Sequence, residues 1–236
     1  TVNDVYNNAQ SYVGLAFIIA TLMFAIEIYC DFSGYSDIAI GCARLFGIDL
    51  MTNFKSPYFS FSIREFWSRW HISLSTWFRD YVYIPLGGNR VAKWRHCLNL
   101  LITFLVSGFW HGSSLSVIVW GAIHGLLQVI ETLLFPKKRK GVEIKRRKHW
   151  WQLPITFLLL CFTWIFFRAN SMEDAVWILS RLFWDIERPL NYLQTGIVCL
   201  GITPIAAIGM GLSVLVLAIY DLASLKGDVI AGFSKQ

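Results

Sequence analysis

Long uncharged apolar runs alternate along this chain with short polar or basic stretches, a pattern that predicts helices crossing a bilayer. Residues 11–30 make about one bilayer thickness of helix at about 1.5 Å per residue, with Glu27 as the single charge. The polar sequence Asp31-Phe32-Ser33-Gly34-Tyr35-Ser36-Asp37 then predicts a break. A second apolar piece follows over 38–48, short for a span, which reads as an interior-facing helix or a re-entrant element. Residues 1–10, with Asn3, Asp4, Asn7, Asn8 and Gln10, read as a loop.

Residues 49–96 change character. Lys55, Arg64, Arg69, Arg79, Arg90, Lys93 and Arg95 face only Asp49, Glu65 and Asp80, which places the region on the cytoplasmic side. Ser62 and Glu65 have capping-box spacing and predict a helix start. From there Phe66, Trp70, Leu74, Trp77, Tyr81 and Ile84 recur at helical steps, one stripe on a helix of about six turns. Its tryptophans suit the headgroup region, so an interfacial helix is expected, with His71 turned into the protein and Arg69 toward lipid phosphate. Pro85, Gly87, Gly88 and Asn89 end it in a turn.

A hydrophobic pair, 97–110 and 113–135, is split at His111-Gly112, and the basic clusters 137–140 and 145–148 follow. Held on the cytoplasmic side, these clusters make 97–110 run outward, 113–135 inward and 152–167 outward. Residues 168–188 become an external amphipathic helix and loop. Residues 189–220 hold a span with an approach broken near Pro204, and the tail with Lys226 and Lys235 returns inside.

Composition agrees with this picture. Apolar residues make up 56% of the chain and charged residues only 15%, against about 25% charged in soluble domains. An all-α, polytopic transmembrane bundle with interfacial or re-entrant helices is expected, as one integral-membrane domain over 1–236. A β-barrel would read as short alternating segments instead. The net charge of +6 follows the loops and is no nucleic-acid signal. Cys30, Cys42, Cys97, Cys161 and Cys199 include no C-x-x-C pair and read as packing residues. The start at Thr1 suggests the C-terminal portion of a longer protein.

Candidate chemistry centres on Ser107-Gly108-Phe109-Trp110-His111-Gly112. Within 97–136 Glu131 is the only formally charged side chain, and an ionisable residue at membrane depth is a functional candidate; a packing histidine is the competing reading. Arg69-Trp70-His71 forms a second group, Asp31, Tyr35 and Asp37 a third, and His124 a fourth for which packing is as good an account. No metal-ligand spacing, phosphate-binding loop or nucleophile elbow is present. One or two histidines in a membrane bundle suit general-base chemistry, in which a near-neutral imidazole takes a proton from an attacking hydroxyl.

Several stretches resemble a known family. They are Asp31-Phe32-Ser33-Gly34-Tyr35-Ser36-Asp37-Ile38-Ala39-Ile40-Gly41, Asn53-Phe54-Lys55-Ser56-Pro57-Tyr58, Glu65-Phe66-Trp67-Ser68-Arg69-Trp70-His71, Pro85-Leu86-Gly87-Gly88-Asn89-Arg90, Gly108-Phe109-Trp110-His111-Gly112, Trp120-Gly121-Ala122-Ile123-His124-Gly125 and Trp164-Ile165-Phe166-Phe167-Arg168-Ala169. Together they make residues 25–185 resemble the membrane-bound O-acyltransferases, in particular the bacterial alginate O-acetyltransferase branch and its C-terminal half. The resemblance implies His111 as the essential histidine and general base. His71 matches the family's second histidine, positioning a substrate or steadying an oxyanion. Around them Ser107, Trp110, Trp70 and Arg69 form the expected substrate-contacting set, with Asp31 and Asp37 structural or tunnel-lining. Acetyl-CoA or a similar acyl thioester is the implied co-substrate, with no bound cofactor or metal. An extracytoplasmic polysaccharide, reached through periplasmic or surface partner proteins, is the implied acceptor. The setting is a bacterial plasma membrane, with basic loops 55–95 and 137–148 inside and no nucleic acid involved. D-alanyl transfer to teichoic acid is the alternative within the family, and a non-catalytic transporter or scaffold is the alternative outside it.

Overall fold

The computed structural model describes residues 1–135, 138–139, 142–143 and 149–233, by backbone alone at 138–139, 142–143 and 226–233. The fold is helical, and three helices are long and apolar enough to cross a membrane: Leu15–Leu45, Leu115–Leu134 and Pro204–Leu225. The chain is membrane-embedded. Of the basic stretch 137–148, only a two-residue antiparallel ladder, Lys138–Arg139 with Val142–Glu143, is described. Lys137, Lys140 and the cluster 145–148 lie outside the described residues, as does Lys235.

The chain packs as two units, residues 1–38 with 168–236, and residues 39–167. In the first unit, the expected N-terminal loop is a helix, α1 (Val2–Asn7), that buries Val2, Val5 and Tyr6. Those three sit at helical spacing, and the asparagines occupy the exposed side. Tyr6 Oη donates to Thr21 Oγ1 at 2.8 Å, because Thr21 spends its own proton on the Phe17 carbonyl. Arg168 reaches Asn3 Oδ1 at 2.7 Å and lies over the Tyr6 ring.

The predicted break at 31–37 is absent: α2 is one helix, Leu15–Leu45, of 31 residues. The one glycine within 31–37, Gly34, costs a helix only about 1 kcal/mol, and Ser33 bonds back to the Cys30 carbonyl. At about 1.5 Å per residue α2 is roughly 46 Å long, well beyond the hydrocarbon thickness of about 30 Å. Its charged end therefore need not lie in hydrocarbon. Further along the unit come α8 (Met172–Arg181), capped by Ser171, then α9 (Pro189–Cys199) and α10 (Pro204–Phe233). Tyr29 on α2 donates to the buried Asp221 on α10 at 2.8 Å.

The second unit holds the functional region. The expected six-turn helix is two short ones, α3 (Ile63–Trp67) and α4 (Ile72–Phe78), with a wider π turn over Arg79–Tyr83. The predicted cap is present: Ser62 Oγ accepts from Glu65 N, and Glu65 Oε2 accepts from Phe61 N. The break falls at His71, which adopts left-handed backbone at φ 43°, a conformation that costs a non-glycine residue about 1–2 kcal/mol.

Distant residues hold the break. Asn53 O accepts from Ile72 N, Asn53 Oδ1 accepts from Ser73 N and Ser73 Oγ, and Arg69 O accepts from Lys55 N. Beyond α4, Gly87 and Gly88 both take positive φ, and Asn99 Nδ2 fixes the turn by donating to Gly88 O at 3.0 Å.

Two antiparallel helices, α5 (Lys93–His111) and α6 (Leu115–Leu134), form the frame. They touch through glycine: a Cβ on Gly121 would lie 2.4 Å from the Phe104 carbonyl, and one on Gly108 2.8 Å from the Val117 carbonyl. Gly121 and Gly125 are one helical turn apart, the small-residue spacing that lets membrane helices approach closely. Completing the unit, α7 (Gln152–Arg168) supplies Trp164 to an aromatic core with Trp70, Phe66 and Phe54.

Candidate active site

His111 is the last residue of α5. Its ring stands edge-on to Trp110, Trp120 and Phe167, with centroids 4.8, 5.3 and 5.3 Å away. No hydrogen bond engages its ring nitrogens among the described residues, so the imidazole is oriented by aromatic packing and its nitrogens are uncommitted. Gly112 adopts extended backbone that any residue could take, so the flanking glycine is not what positions the histidine. The glycine with that role is Gly108, whose missing Cβ admits α6.

His71 comes to this end of the unit through the αL turn between α3 and α4. Burial, and secondarily the charge of a protonated His111, lower its pKa to about 4. The two histidines, far apart in sequence, are therefore electrostatic neighbours, and His71 is neutral at pH 7.

A cavity of about 870 Å³ lies alongside, within the usual size range of small-molecule sites. Arg64 and Lys93 give it a cationic end, with the His96 ring beside Arg64; Arg79, also in the lining, is paired with Asp80, and Trp67, Phe78 and Phe104 give aromatic walls. Ser107, one helical turn before His111, lines it, as does Ile72, the residue after His71; neither histidine does. Arg64 is aimed by its bond to Thr132 Oγ1 at 2.9 Å, and its backbone N–H is accepted by Glu131 Oε2 at 2.7 Å.

The other expected contact residues divide. Trp110 packs against His111 and is 58% exposed. Trp70 is buried in the aromatic core and does not line the cavity. Arg69 does not point to lipid phosphate: it pairs with Glu65 at 2.8 Å and reaches the carbonyls of Lys55 and Ser56. Its work is to hold the turn before His71. Asp31 and Asp37 are exposed on α2 in the other unit. His124 is fully buried, with both ring nitrogens bonded, to Trp67 and Thr163.

Sequence reasoning passed over Arg64, Gln128 and the capping role of Glu131. The signal was present: His124, Gln128, Glu131 and Thr132 recur at steps of four, three and one on an otherwise apolar helix. That is a polar stripe on one face of α6.

Residues 1–173 match the model of MBOAT, the membrane-bound O-acyltransferase family. The chain belongs to that family. It is 41% identical over 204 residues to the probable alginate O-acetylase AlgI of Pseudomonas aeruginosa, covering 81% of this chain and 38% of that protein. It is 42% identical over 171 residues to the peptidoglycan O-acetyltransferase of Helicobacter pylori, covering 71% and 32%. Against the teichoic acid D-alanyltransferase of Streptococcus thermophilus it is 38% identical over 133 residues, covering 53% and 32%. The chain thus spans about a third to two-fifths of the length of these curated relatives. The membrane-bound O-acyltransferase match ends within α8, so it includes both histidines and every cavity residue and leaves α9 and α10 beyond it.

Proposed function

We propose that this chain carries the acyl-transfer centre of a membrane O-acetyltransferase that moves an acetyl group from a thioester to a hydroxyl of an extracytoplasmic polysaccharide. The observation that carries the reading is the pairing of His71 with His111, the latter having uncommitted ring nitrogens, beside a cavity whose far end is cationic. A phosphate-bearing donor enters from the cationic end, which belongs to the basic region 55–95 and faces the cytoplasm of a bacterial plasma membrane.

His111 accepts the acceptor hydroxyl's proton as its oxygen attacks the acyl carbonyl. The C–S bond then breaks, and the proton passes to the departing thiolate, leaving an ester and a free thiol. His71, neutral and adjacent, positions the reacting groups. Trp120 Nε1–H, buried against His111 and without a hydrogen-bond partner among the described residues, is a donor available to a developing oxyanion. The accepting hydroxyl is the polymer's own or that of a periplasmic or surface partner protein, which then passes the acetyl group to the polymer. An alginate-type or other cell-surface polysaccharide is the acceptor favoured by the relatives' names. D-alanyl transfer to teichoic acid is second, since that relative matches a smaller share of this chain.

The test is thioester consumption by the full-length protein in vesicles, with labelled acetyl-CoA on the cytoplasmic face. His111→Ala at equal membrane abundance should lose about 10²–10⁴-fold in turnover. Undiminished consumption by His111→Ala would remove the histidine from the chemistry. No consumption by the unaltered protein, with polymer and partners present, would favour a conduit.

A further inference from the structure

Gln128 sits on the polar stripe of α6, only 5% exposed, and its side chain lines the cavity. Its neighbours on the stripe are engaged: His124 holds Trp67, Glu131 holds the Arg64 N–H, and Thr132 holds the Arg64 guanidinium. The Gln128 carboxamide alone among these four has no hydrogen-bond partner among the described residues. Its two donors and its carbonyl, left to the cavity, can match a complementary amide.

The cavity's dimensions indicate which amide. Lys93 and Ser107 line it fourteen residues apart on α5, a separation of about 21 Å along the helix. That is comparable to an extended phosphopantetheine arm, which bears a phosphate at one end, a thioester at the other and two amides between. The α5–α6 contacts put Gly125 level with Leu101 and Phe104. Gln128, a turn further toward the cationic end, therefore falls between Lys93 and Ser107, at mid-cavity.

We propose that Gln128 is the specificity-determining residue for the donor, its carboxamide hydrogen-bonding an amide of a phosphopantetheine arm laid between the cationic end and Ser107. This rests on the acyl-transfer reading above and adds a residue and a chemical requirement to it. The arm could belong to free acetyl-CoA or to an acetylated carrier protein, and Gln128 meets the same amide in either case.

The test uses the full-length protein in vesicles with three donors: acetyl-CoA, an acetylated carrier protein, and the S-acetyl thioester of an alkanethiol of matching length, which has no amides. Gln128→Leu keeps the volume and removes the hydrogen bonds. It should raise KM about tenfold for whichever pantetheine donor is used, the worth of about one hydrogen bond, with kcat little changed. It should leave consumption of the amide-free thioester at the wild-type rate, which also shows that the variant is folded. An equal KM for the pantetheine donor in both proteins, or an equal loss against the amide-free thioester, overturns the assignment while the acyltransferase reading stands. A wild-type protein that consumes none of the three overturns both.

Discussion

His124 Nδ1 accepts the Trp67 indole N–H at 3.2 Å, so the imidazole carries its proton on Nε2 and donates it to Thr163 Oγ1 at 3.0 Å. The threonine hydroxyl is free to accept because its own proton goes to the Leu160 carbonyl. This chain of bonds links α3, α6 and α7 and fixes Trp67 in the cavity wall. It also separates the two deep histidines by role: His124 has no nitrogen left for substrate, and His111 has both.

Thr163→Val should therefore weaken the fold. The substitution preserves shape but leaves the His124 N–H buried without an acceptor, a loss of about 1–3 kcal/mol. Thermal unfolding in detergent should show a lowered midpoint, with turnover per folded molecule largely kept. An unchanged midpoint would mean that the threonine does not hold His124.

The glycines of the chain predict opposite outcomes in two places. Gly121→Ala puts a methyl group 2.4 Å from the Phe104 carbonyl and 3.0 Å from Gly108 Cα, so α5 and α6 must separate and membrane abundance should fall sharply. Gly34→Ala, in the middle of α2 with nothing within 4 Å, should be neutral or stabilising by up to about 1 kcal/mol. Abundance and thermal midpoints of the two variants, measured side by side, check both.

Much of the frame was legible because it depends on local pattern. The 97–110 and 113–135 runs became α5 and α6, and the Ser62 cap formed where its spacing placed it. What was missed depends on partners remote in the chain. The apolar steps through Phe66, Trp70 and Leu74 continue past His71 without interruption, and it is residues remote in the chain, Asn53 and Lys55, whose bonds to Ile72, Ser73 and Arg69 hold the turned backbone there. At 31–37 two aspartates and a glycine suggested a break, yet the penalties are small enough for one long helix to absorb. Gln128 was visible as part of a stripe, but nothing in α6 alone says that this face meets α3 and a cavity. Trp70 and Arg69 were close to His71 in sequence, and the turn sends them into the core and onto Glu65 instead.

Asn53 should accordingly matter to catalysis without touching substrate. Asn53→Ala removes the acceptor for Ser73 N and Oγ, leaving the left-handed His71 less constrained. Strained backbone of this kind persists only where its surroundings over-determine it. A fall in kcat of about tenfold or more is expected, since small misplacements of a positioning group are costly, with KM for the donor changed less. Full kcat in Asn53→Ala would show that the turn does not depend on this residue.

The acidity of His71 yields a pH prediction with a definite sign. Burial, and secondarily a charged His111, lower its pKa from 6.5 to about 4 in the folded protein. An unfolded chain would take up the proton near 6.5, so between the two values the unfolded state binds more protons. The stability associated with neutral His71 is thus fully present above about 6.5 and is lost as pH falls toward 4. Activity should follow a related course: if catalysis needs the neutral pair, the acid limb of kcat/KM falls below the ordinary histidine value, as an apparent constant of the pair. A limb at about 6.5 would place the essential histidines in water-like surroundings and contradict the buried pair.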